Sequence, residues 1–249
     1  FLDPVRGRPN LTVMTGTDVQ RIEFSQRRAC AVWVDGRAGN ARFEVRREVL
    51  LCAGAIESPK LLQLSGIGPA GLLNSLGISV LQDAPEVGRN LREHVYMAMQ
   101  YRVTSGSFNH CFHGVGLLGA LTQYFLRKKG PMTHAAHEAG GFIKTRPELD
   151  RPDAQIGVSL YSMDGDGNKV EIDKQPGLTI GGYFLRPQSQ GEVRIQSADA
   201  SVPPQINANY LSAEIDRTSA IALFRWFRCL AAQPVLKPFI VGELTPGPQ

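Results

Sequence analysis

The sequence predicts a mixed α/β fold in which a βαβ-type domain is interleaved with an antiparallel sheet backed by helices. Three observations support this prediction. Apolar and polar residues alternate along 19–24 as in a half-buried strand, and an apolar run, a Gly-containing bend and a Leu-rich segment follow one another over 49–68. The second half contains several β-type stretches before an amphipathic segment at 215–232. Both halves of the chain therefore need a sheet.

The first fifty residues predict strands. Residues 11–15 (LTVMT) form a short apolar run typical of a buried strand, and 19–24 (VQRIEF) have the pattern of a half-buried one. Two β-rich arms then flank a turn at 35–40 that contains Gly and Asn, which indicates a hairpin. The second arm continues into 49–52 (VLLC), an unbroken apolar run typical of a strand covered on both faces.

A short helix is predicted directly after that run. Ser58 can cap it through its hydroxyl, Pro59 suits the first helical position, and Gly66 suits a left-handed exit. Residues 70–76 (AGLLNSL) predict another short helix, and 77–80 (GISV) predict a return to a strand.

The character of the sequence changes near residue 102. Residues 117–128 predict a helix closed by Gly130 and Pro131. Three later stretches, AQIGVSLY, GLTIGGYFL and EVRIQS, predict strands of a second sheet. The amphipathic segment at 215–232 places Leu223, Trp226 and Phe227 toward one face, so it predicts a helix across that sheet.

Composition limits the classes of function. The chain has 249 residues, a hydrophobic fraction of 43% and a net charge of +4, which is ordinary for a folded protein. Its Lys and Arg residues are scattered, which argues against a nucleic-acid binder, and the short run Arg127–Lys129 is interpreted as a solvated helix end. No apolar run approaches the roughly 20 residues that cross a bilayer.

Cysteine and histidine spacing predicts no metal site. The four cysteines follow neither a zinc nor a redox pattern, which favours free thiols. His110, Cys111 and His113 are close in sequence, but a zinc site needs three or four converging ligands and no second cluster supplies the rest.

The bend before the predicted helix at 58–65 is a candidate ligand site. A strand that enters a tight turn at Gly54 and then a helix gathers free backbone N–H groups, and the helix dipole favours a negative or electron-rich partner. A phosphate, a carboxylate or the polar edge of a cofactor ring would suit it. The alternative is a corner that only reverses the chain.

The full string from this corner is more specific. GAIESPKLLQLSGIG, residues 54–68, resembles the second signature of the glucose-methanol-choline oxidoreductases. RPNLTVMTGTDVQRIEF is similar to a strand pair of that family, and PEVGRNLREHV is similar to its Gly-x-Asn-Leu-x-Asp-His run, with Glu93 in place of Asp. KKGPMTHAAHEAGGFIKT resembles the substrate-domain segment of the bacterial alcohol and choline dehydrogenase branch.

The resemblance implies an FAD-dependent enzyme that transfers a hydride from an alcohol to the flavin while a base assists loss of the hydroxyl proton. In the family, the residue at Val19 meets the adenine through its backbone, and small residues at the corner approach the flavin. Asn90 and His94 are expected to fix a loop over the cofactor. The implied cofactor-binding residues are Val19, Ala53, Gly54, Ala55, Ser58, Asn90 and His94.

His137 and Glu138 are the implied substrate residues. The carboxylate of Glu138 could attract a cationic alcohol such as choline, because a charge in a low-dielectric pocket interacts strongly. The alternative for Glu138 is a structural ion pair with a nearby Lys or Arg. The alternative for the cofactor role of Ala53–Ala55 is close strand–helix packing.

The resemblance also implies a domain organisation. Residues 1–95 would be part of the FAD-binding domain, 96–210 the substrate-binding domain, and 211–249 a helical segment leading back toward the FAD-binding domain. The family places a Gly-x-Gly-x-x-Gly cradle near its N-terminus, and no such string occurs in the first fifty residues of this sequence. The catalytic His is expected beyond Gln249, so we expect a fragment without catalytic residues of its own. The expected partner is a small alcohol, with no nucleic acid and with the electron acceptor unassigned, and the expected location is cytoplasmic or membrane-peripheral.

Two rival functions remain open at this point. A non-catalytic binding module could keep the fold without the redox centre, and an NAD-dependent dehydrogenase could share the class of chemistry. A flavin spectrum that does not respond to NAD would argue against the second.

Overall fold

The computed structural model describes residues 1–37, 39–165 and 171–247, and the chain divides into two compact units. The first unit comprises Phe1–Arg92 and Gln190–Asn209, and the second comprises Glu93–Ser189 and Tyr210–Gln249. Both contain strands and helices, so the predicted mixed α/β class is confirmed.

The helices of the described chain are α1 (Gly54–Leu64), α2 (Ala70–Ser75), α3 (Gly114–Arg127) and α4 (Glu214–Ala231). The strands are β1 (Thr17–Ser25), β2 (Arg28–Gly36), β3 (Ala41–Glu44), β4 (Ile67–Gly68), β5 (Gln82–Asp83), β6 (Arg89–Leu91), β7 (Met97–Val103), β8 (Ala139–Ile143), β9 (Ala154–Ser159), β10 (Met163–Asp164), β11 (Glu171–Ile172), β12 (Gly177–Phe184), β13 (Gly191–Arg194), β14 (Gln205–Asn207) and β15 (Ile240–Thr245).

The first unit contains the antiparallel sheet β1-β2-β3. Ile22 of β1 lies opposite Val32 of β2, and Ile22, Ala31 and Val34 are buried. The strand predicted at 19–24 and the hairpin predicted around 35–40 are confirmed, although position 38 of that turn lies outside the described residues. A second sheet of this unit has the order β14-β13-β6.

Two predicted strands of this unit are wrong. Residues 11–15 and 49–52 have no regular structure, and the second hairpin arm ends at Glu44. Leu50, expected to be covered on both faces, has 77% of its surface exposed. A strand needs a neighbour for its N–H and C=O groups, and no described strand pairs with either segment. Apolar content alone therefore gave the wrong assignment.

The carboxylate of Glu23 joins all three strands of the sheet β1-β2-β3. It accepts hydrogen bonds from Trp33 Nε1 at 2.6 Å, from Arg42 Nε at 3.0 Å and from Arg42 Nη2 at 2.9 Å. The Arg42 hydrogen bonds, followed by the Trp33 hydrogen bond, lower the pKa of Glu23 from 4.5 to about 2. The ionised carboxylate therefore stabilises the folded sheet.

The Glu23→Gln variant tests this cluster. Because the folded-state pKa of Glu23 is lowered, the ionised carboxylate stabilises the folded state fully above pH 4.5. This stabilisation is lost as the pH falls toward 2. We expect the variant to unfold at a lower temperature than the parent near neutral pH, and the difference to shrink at about pH 3. Thermal unfolding followed by circular dichroism at both pH values measures this, with Glu48→Gln as the charge-matched control. A difference that does not change with pH would contradict the assignment.

Helix α1 begins earlier than predicted. Its N-cap residue is Ala53, so Ser58 and Pro59 lie inside the helix and not at its start. Ala55, Ile56 and Glu57 allow the first turn to form before the Ser-Pro pair, and Pro59 lacks the N–H that would bond to the residue four positions earlier. The predicted exit is confirmed, since Gly66 has a φ of +85°.

The segment after α1 is only partly as predicted. Helix α2 confirms the prediction at 70–76, whereas 77–80 is not a strand. The parallel pairing in this region joins the two-residue strands β4 and β5. A Cβ on Gly66 would lie 2.6 Å from the Ser79 carbonyl oxygen, so only glycine fits where this loop passes the helix exit.

The second unit contains an antiparallel sheet with the strand order β15-β7-β12-β9-β8. Helix α4 packs across it, and Leu223 and Phe227 join Met99 and Ile180 in one buried cluster. The strands predicted from AQIGVSLY and GLTIGGYFL and the helix predicted at 215–232 are confirmed, and the helix predicted at 117–128 is α3. The stretch EVRIQS contains β13, which belongs to the first unit.

The assignment of residues 1–95 to an FAD-binding domain and of residues 96–210 to a substrate-binding domain stays a prediction. By its internal contacts, Gln190–Asn209 groups with Phe1–Arg92. Among the described residues, no helix combines the length and the hydropathy that a bilayer crossing requires.

Candidate functional site

The corner at the start of α1 is open and made of small residues. Ala53, Gly54 and Ala55 are all exposed, and Gly54 has a φ of +82°, a conformation that favours glycine. No described atom lies within 4 Å of a Cβ placed on Gly54. Close packing within this unit therefore does not explain the glycine, and the first-turn N–H groups, which have no acceptor inside a helix, face an accessible space.

Val19 and Ser58 have different settings. Val19 lies on β1, an edge strand of its sheet, with 41% of its surface exposed and with a register shift between Val19 and Arg21. Edge-strand backbone groups remain free to bind a partner. Ser58 is half-buried in the middle of α1, so the predicted capping role is wrong. The opposite end of α1 meets β1, where Ile22 N donates to Ser65 Oγ at 2.8 Å.

Asn90 lies in β6, directly after the loop that contains Gly88. Its φ is +62°, and its Nδ2 donates to Glu86 Oε2 at 2.8 Å. The preceding Gly88 has a φ of +88°, and a Cβ there would lie 2.1 Å from the Val193 carbonyl oxygen. The neighbouring chain segment therefore fixes the path of this loop.

Gln63, which the sequence reasoning missed, holds that loop against α1. Its side chain is completely buried, its Nε2 donates to Val193 O at 3.0 Å, and its Oε1 accepts from Ile195 N at 2.9 Å. The same Nε2 lies 3.4 Å from Val87 O, directly before Gly88. A polar residue between Leu61 and Leu64 on the buried face of a helix was the available signal.

The Gln63→Leu variant tests this link. Two buried backbone groups lose their partners, each costing about 1–3 kcal/mol, so we expect the free energy of unfolding to fall by about 2–6 kcal/mol. Urea unfolding measures the change. The matched control is Gln82→Leu, since Gln82 is exposed, and it should change stability by less than about 0.5 kcal/mol. Equal effects of the two substitutions would rule out the proposed role of Gln63.

His94 lies in the second unit and packs on Tyr183. The two rings stack at 4.4 Å with an interplanar angle of 14°, and His94 Nε2 lies 3.3 Å from Leu185 O. Glu93, the departure from the family pattern, accepts a hydrogen bond from His94 N at 2.6 Å through its Oε1. The carboxylate thus binds the local backbone.

His137 and Glu138 line one cavity of about 220 Å³, together with Tyr96, Tyr183 and residues of β8, β9 and β12. Ser159 Oγ donates to Ala136 O at 2.6 Å and lies 2.9 Å from His137 Nδ1. A hydroxyl has one proton to donate, so His137 Nδ1 must be the donor in that contact. In the neutral ring, Nε2 is then the hydrogen-bond acceptor.

Tyr96 adds a donor to this cavity. Burial raises the pKa of Tyr96 above its ordinary value of 10.0, and the neighbouring Tyr161 raises it further. The phenol is therefore protonated at neutral pH. Its ring lies 6.5 Å from the His137 ring.

Glu138 also lines a second cavity, of about 320 Å³, whose wall is mostly apolar and aromatic. Its Oε2 lies 2.8 Å from His134 Nδ1. Among the described residues the side-chain hydrogen-bond partner of Glu138 is therefore His134, where the alternative interpretation expected a Lys or Arg. The apolar and aromatic wall residues are Phe108, Phe112, Met132, Leu160, Tyr161, Met163 and Ile172.

The side chains of His110 and His113 each have a partner within the protein. His110 Nε2 lies 3.2 Å from Cys111 Sγ, and His113 Nε2 lies 3.0 Å from Ile172 O. In the described ranges, no three His, Cys, Asp or Glu side chains are grouped to hold a metal ion.

The structure brings together some predicted site residues and not others. His137 and Glu138 share a cavity with Tyr183, the residue on which His94 stacks. Val19, Asn90 and the corner lie in the first unit, and no described hydrogen bond joins them to one another. Their convergence on one ligand stays a prediction.

Solved oxidase structures have this fold. Pyridoxine 4-oxidase from Mesorbium loti superposes with a TM-score of 0.82 at 25% identity, over 99% of this chain and 44% of that chain. A formate oxidase from Aspergillus oryzae RIB40, solved in a study of FAD modification, superposes with a TM-score of 0.83 at 25% identity, over 98% of this chain and 48% of that one.

Two sequence models of the GMC oxidoreductase family match residues 1–96 and 187–249. The chain belongs to the GMC oxidoreductase family, which confirms the resemblance inferred from its motifs. An oxygen-dependent choline dehydrogenase from Ectopseudomonas mendocina (strain ymp) is 36% identical over 250 residues, which are 99% of this chain and 44% of that protein. The chain spans less than half the length of this relative.

Proposed function

We propose that this chain is part of an FAD-dependent oxidoreductase that acts on the CH–OH group of an alcohol carrying a positive charge, such as choline. The observation that supports this function most strongly is Glu138, which lines both the aromatic cavity and the smaller cavity that also contains Tyr96 and His137. Family membership supports the class of reaction. The choline dehydrogenase relative supports the class of substrate.

The first unit fits one side of an FAD site. Ala53, Gly54 and Ala55 leave room for a ligand to approach the backbone, and the N-terminus of α1 favours its negative or electron-rich groups. Val19 offers edge-strand backbone to the adenine, and Asn90 lies in β6, which follows a loop fixed by Gln63. When bound, the flavin supplies the hydride acceptor.

The second unit fits a cationic alcohol. Glu138 attracts the positive charge, and the faces of Phe108, Phe112 and Tyr161 favour a quaternary ammonium group. In the smaller cavity, Tyr96 can donate a hydrogen bond to the substrate hydroxyl and His137 can accept one. These residues orient the substrate, while the catalytic base is expected outside this chain.

Flavin binding is tested by the visible absorption spectrum of the protein in the form that its gene encodes. We expect bound flavin in the parent and a loss of most of it in Ala55→Trp, because an indole at the exposed corner blocks the approach to the backbone. Asn74→Trp, at an exposed position of α2, is the control and should retain its flavin. A colourless parent would refute the cofactor assignment and leave a non-catalytic binding module as the interpretation.

The substrate class is tested with Glu138→Gln. We expect the KM for choline to rise about 10-fold to 100-fold, because the substituted amide removes a partly buried charge. The neutral carbon analogue of choline, with a quaternary carbon in place of nitrogen, should show a change of less than about threefold. Steady-state kinetics on both alcohols, with Glu44→Gln as the control variant, gives the comparison. An equal rise for both alcohols would assign Glu138 a structural role.

The electron acceptor has no assigned site in the described chain. We propose a cytoplasmic or membrane-peripheral location, consistent with the hydropathy of the described helices.

A further inference from the structure

Helix α3 of the second unit presents apolar residues on two opposite faces. Leu117, Leu121 and Tyr124 are half-buried and Ala120 is buried, so this face packs on the protein. The opposite face carries four large apolar side chains with most of their surface exposed, and we call them the α3 stripe: Val115 at 86%, Leu118 at 66%, Phe125 at 67% and Leu126 at 78%.

The α3 stripe runs along one side of the helix as two pairs, Val115 with Leu118 and Phe125 with Leu126, and Thr122 lies between the pairs. Residues three, ten and eleven positions after Val115 fall on the same side of an α-helix as Val115, so all four side chains point the same way. Scattered single apolar residues are normal on a protein surface, whereas four large exposed ones on one side of a single helix indicate an interaction surface.

Positive charge lies at one end of the stripe. Arg127, Lys128 and Lys129 follow it directly and are exposed, and Lys128 Nζ lies 4.8 Å from the Tyr124 ring and 5.7 Å from the Phe125 ring. The whole segment 102–137 contains no Asp or Glu. The surface therefore combines an exposed apolar stripe with three cations that have no acidic residue within the described segment 102–137.

We propose that the α3 stripe and Arg127–Lys129 bind the interface of an anionic lipid bilayer. Such a bilayer offers an apolar layer directly beside a negatively charged one, which complements both parts of this surface. A second copy of the chain would bring further positive charge to the contact. This inference is independent of the proposed redox function.

The length of α3 determines the mode of binding. Its 14 residues extend about 21 Å, which is shorter than the roughly 30 Å hydrocarbon core. The helix therefore lies in the plane of the interface, with the α3 stripe toward the acyl chains and the three cations at the headgroups.

Sedimentation with lipid vesicles tests this proposal on the protein in the form that its gene encodes. Vesicles that mix phosphatidylglycerol with phosphatidylcholine should bind the protein, and vesicles of phosphatidylcholine alone should bind it at least tenfold more weakly. Added salt should weaken the binding to anionic vesicles.

Two variants separate the apolar and cationic parts. The double variant Leu118→Asp with Phe125→Asp should lose vesicle binding. The triple variant Arg127→Gln, Lys128→Gln and Lys129→Gln should bind anionic vesicles roughly 100-fold more weakly. Ile221→Asp is the matched control, because Ile221 is 52% exposed on α4 of the same unit, and it should bind like the parent. Circular dichroism melts identify any variant that fails to fold, and in that case Leu118→Ser with Phe125→Ser replaces the double variant.

Several outcomes would overturn the proposal. The proposal is wrong if the protein does not bind anionic vesicles, or if it binds both vesicle types equally. It is also wrong if the double variant and the Ile221→Asp control lose vesicle binding to the same extent. Protection of Leu118→Cys from a maleimide in the absence of lipid would show that another protein segment covers the stripe. A dimer that the double variant abolishes, seen by light scattering, would assign the stripe to a second copy.

Discussion

The buried amide of Gln63 is the interaction on which the first unit most depends. It satisfies a carbonyl oxygen and an N–H group of a chain segment 130 or more positions later in the sequence. Neither group could be left buried without a partner, so α1 and β13 must meet in one register. The path of the chain from Gly88 into β6 follows, because Gly88 passes within contact distance of Val193.

The second unit relies on a comparable amide. Asn109 Oδ1 accepts from Ser162 N and Gly177 N, both at 3.1 Å, and its Nδ2 donates to Ser162 O at 3.0 Å and Asp173 O at 2.7 Å. These bonds fix the ends of β9 and β12 relative to the turn that precedes α3. The aromatic cavity next to Glu138 is lined by residues of the turn before α3 and by residues that follow β9. Its shape therefore depends on Asn109, a buried polar residue that does not line it.

The two units offer complementary chemistry. The first presents open backbone at a helix start and at an edge strand, which suits a large polar cofactor. The second presents a carboxylate, a phenol and an imidazole at cavities with apolar walls, which suits a small charged alcohol.

The sequence by itself determined the elements whose pattern is local. Strands β1, β9 and β12 and helices α2, α3 and α4 follow from residue periodicity and end signals. It also determined the family, since the motif around Gly54 is short and continuous. Strand β7 was missed, although Met97, Met99, Tyr101 and Val103 alternate with less buried residues, which is the pattern of a half-buried strand.

Only the tertiary structure decided what covers each apolar run and which polar groups meet. Residues 49–52 and the buried strand β12 are similarly apolar in sequence, yet only β12 has partner strands, because pairing depends on segments distant along the chain. The same reason separates predicted from unpredicted site residues. His137 and Glu138 came from a motif, whereas the roles of Gln63, Asn109 and His134 depend on contacts whose geometry no local pattern records.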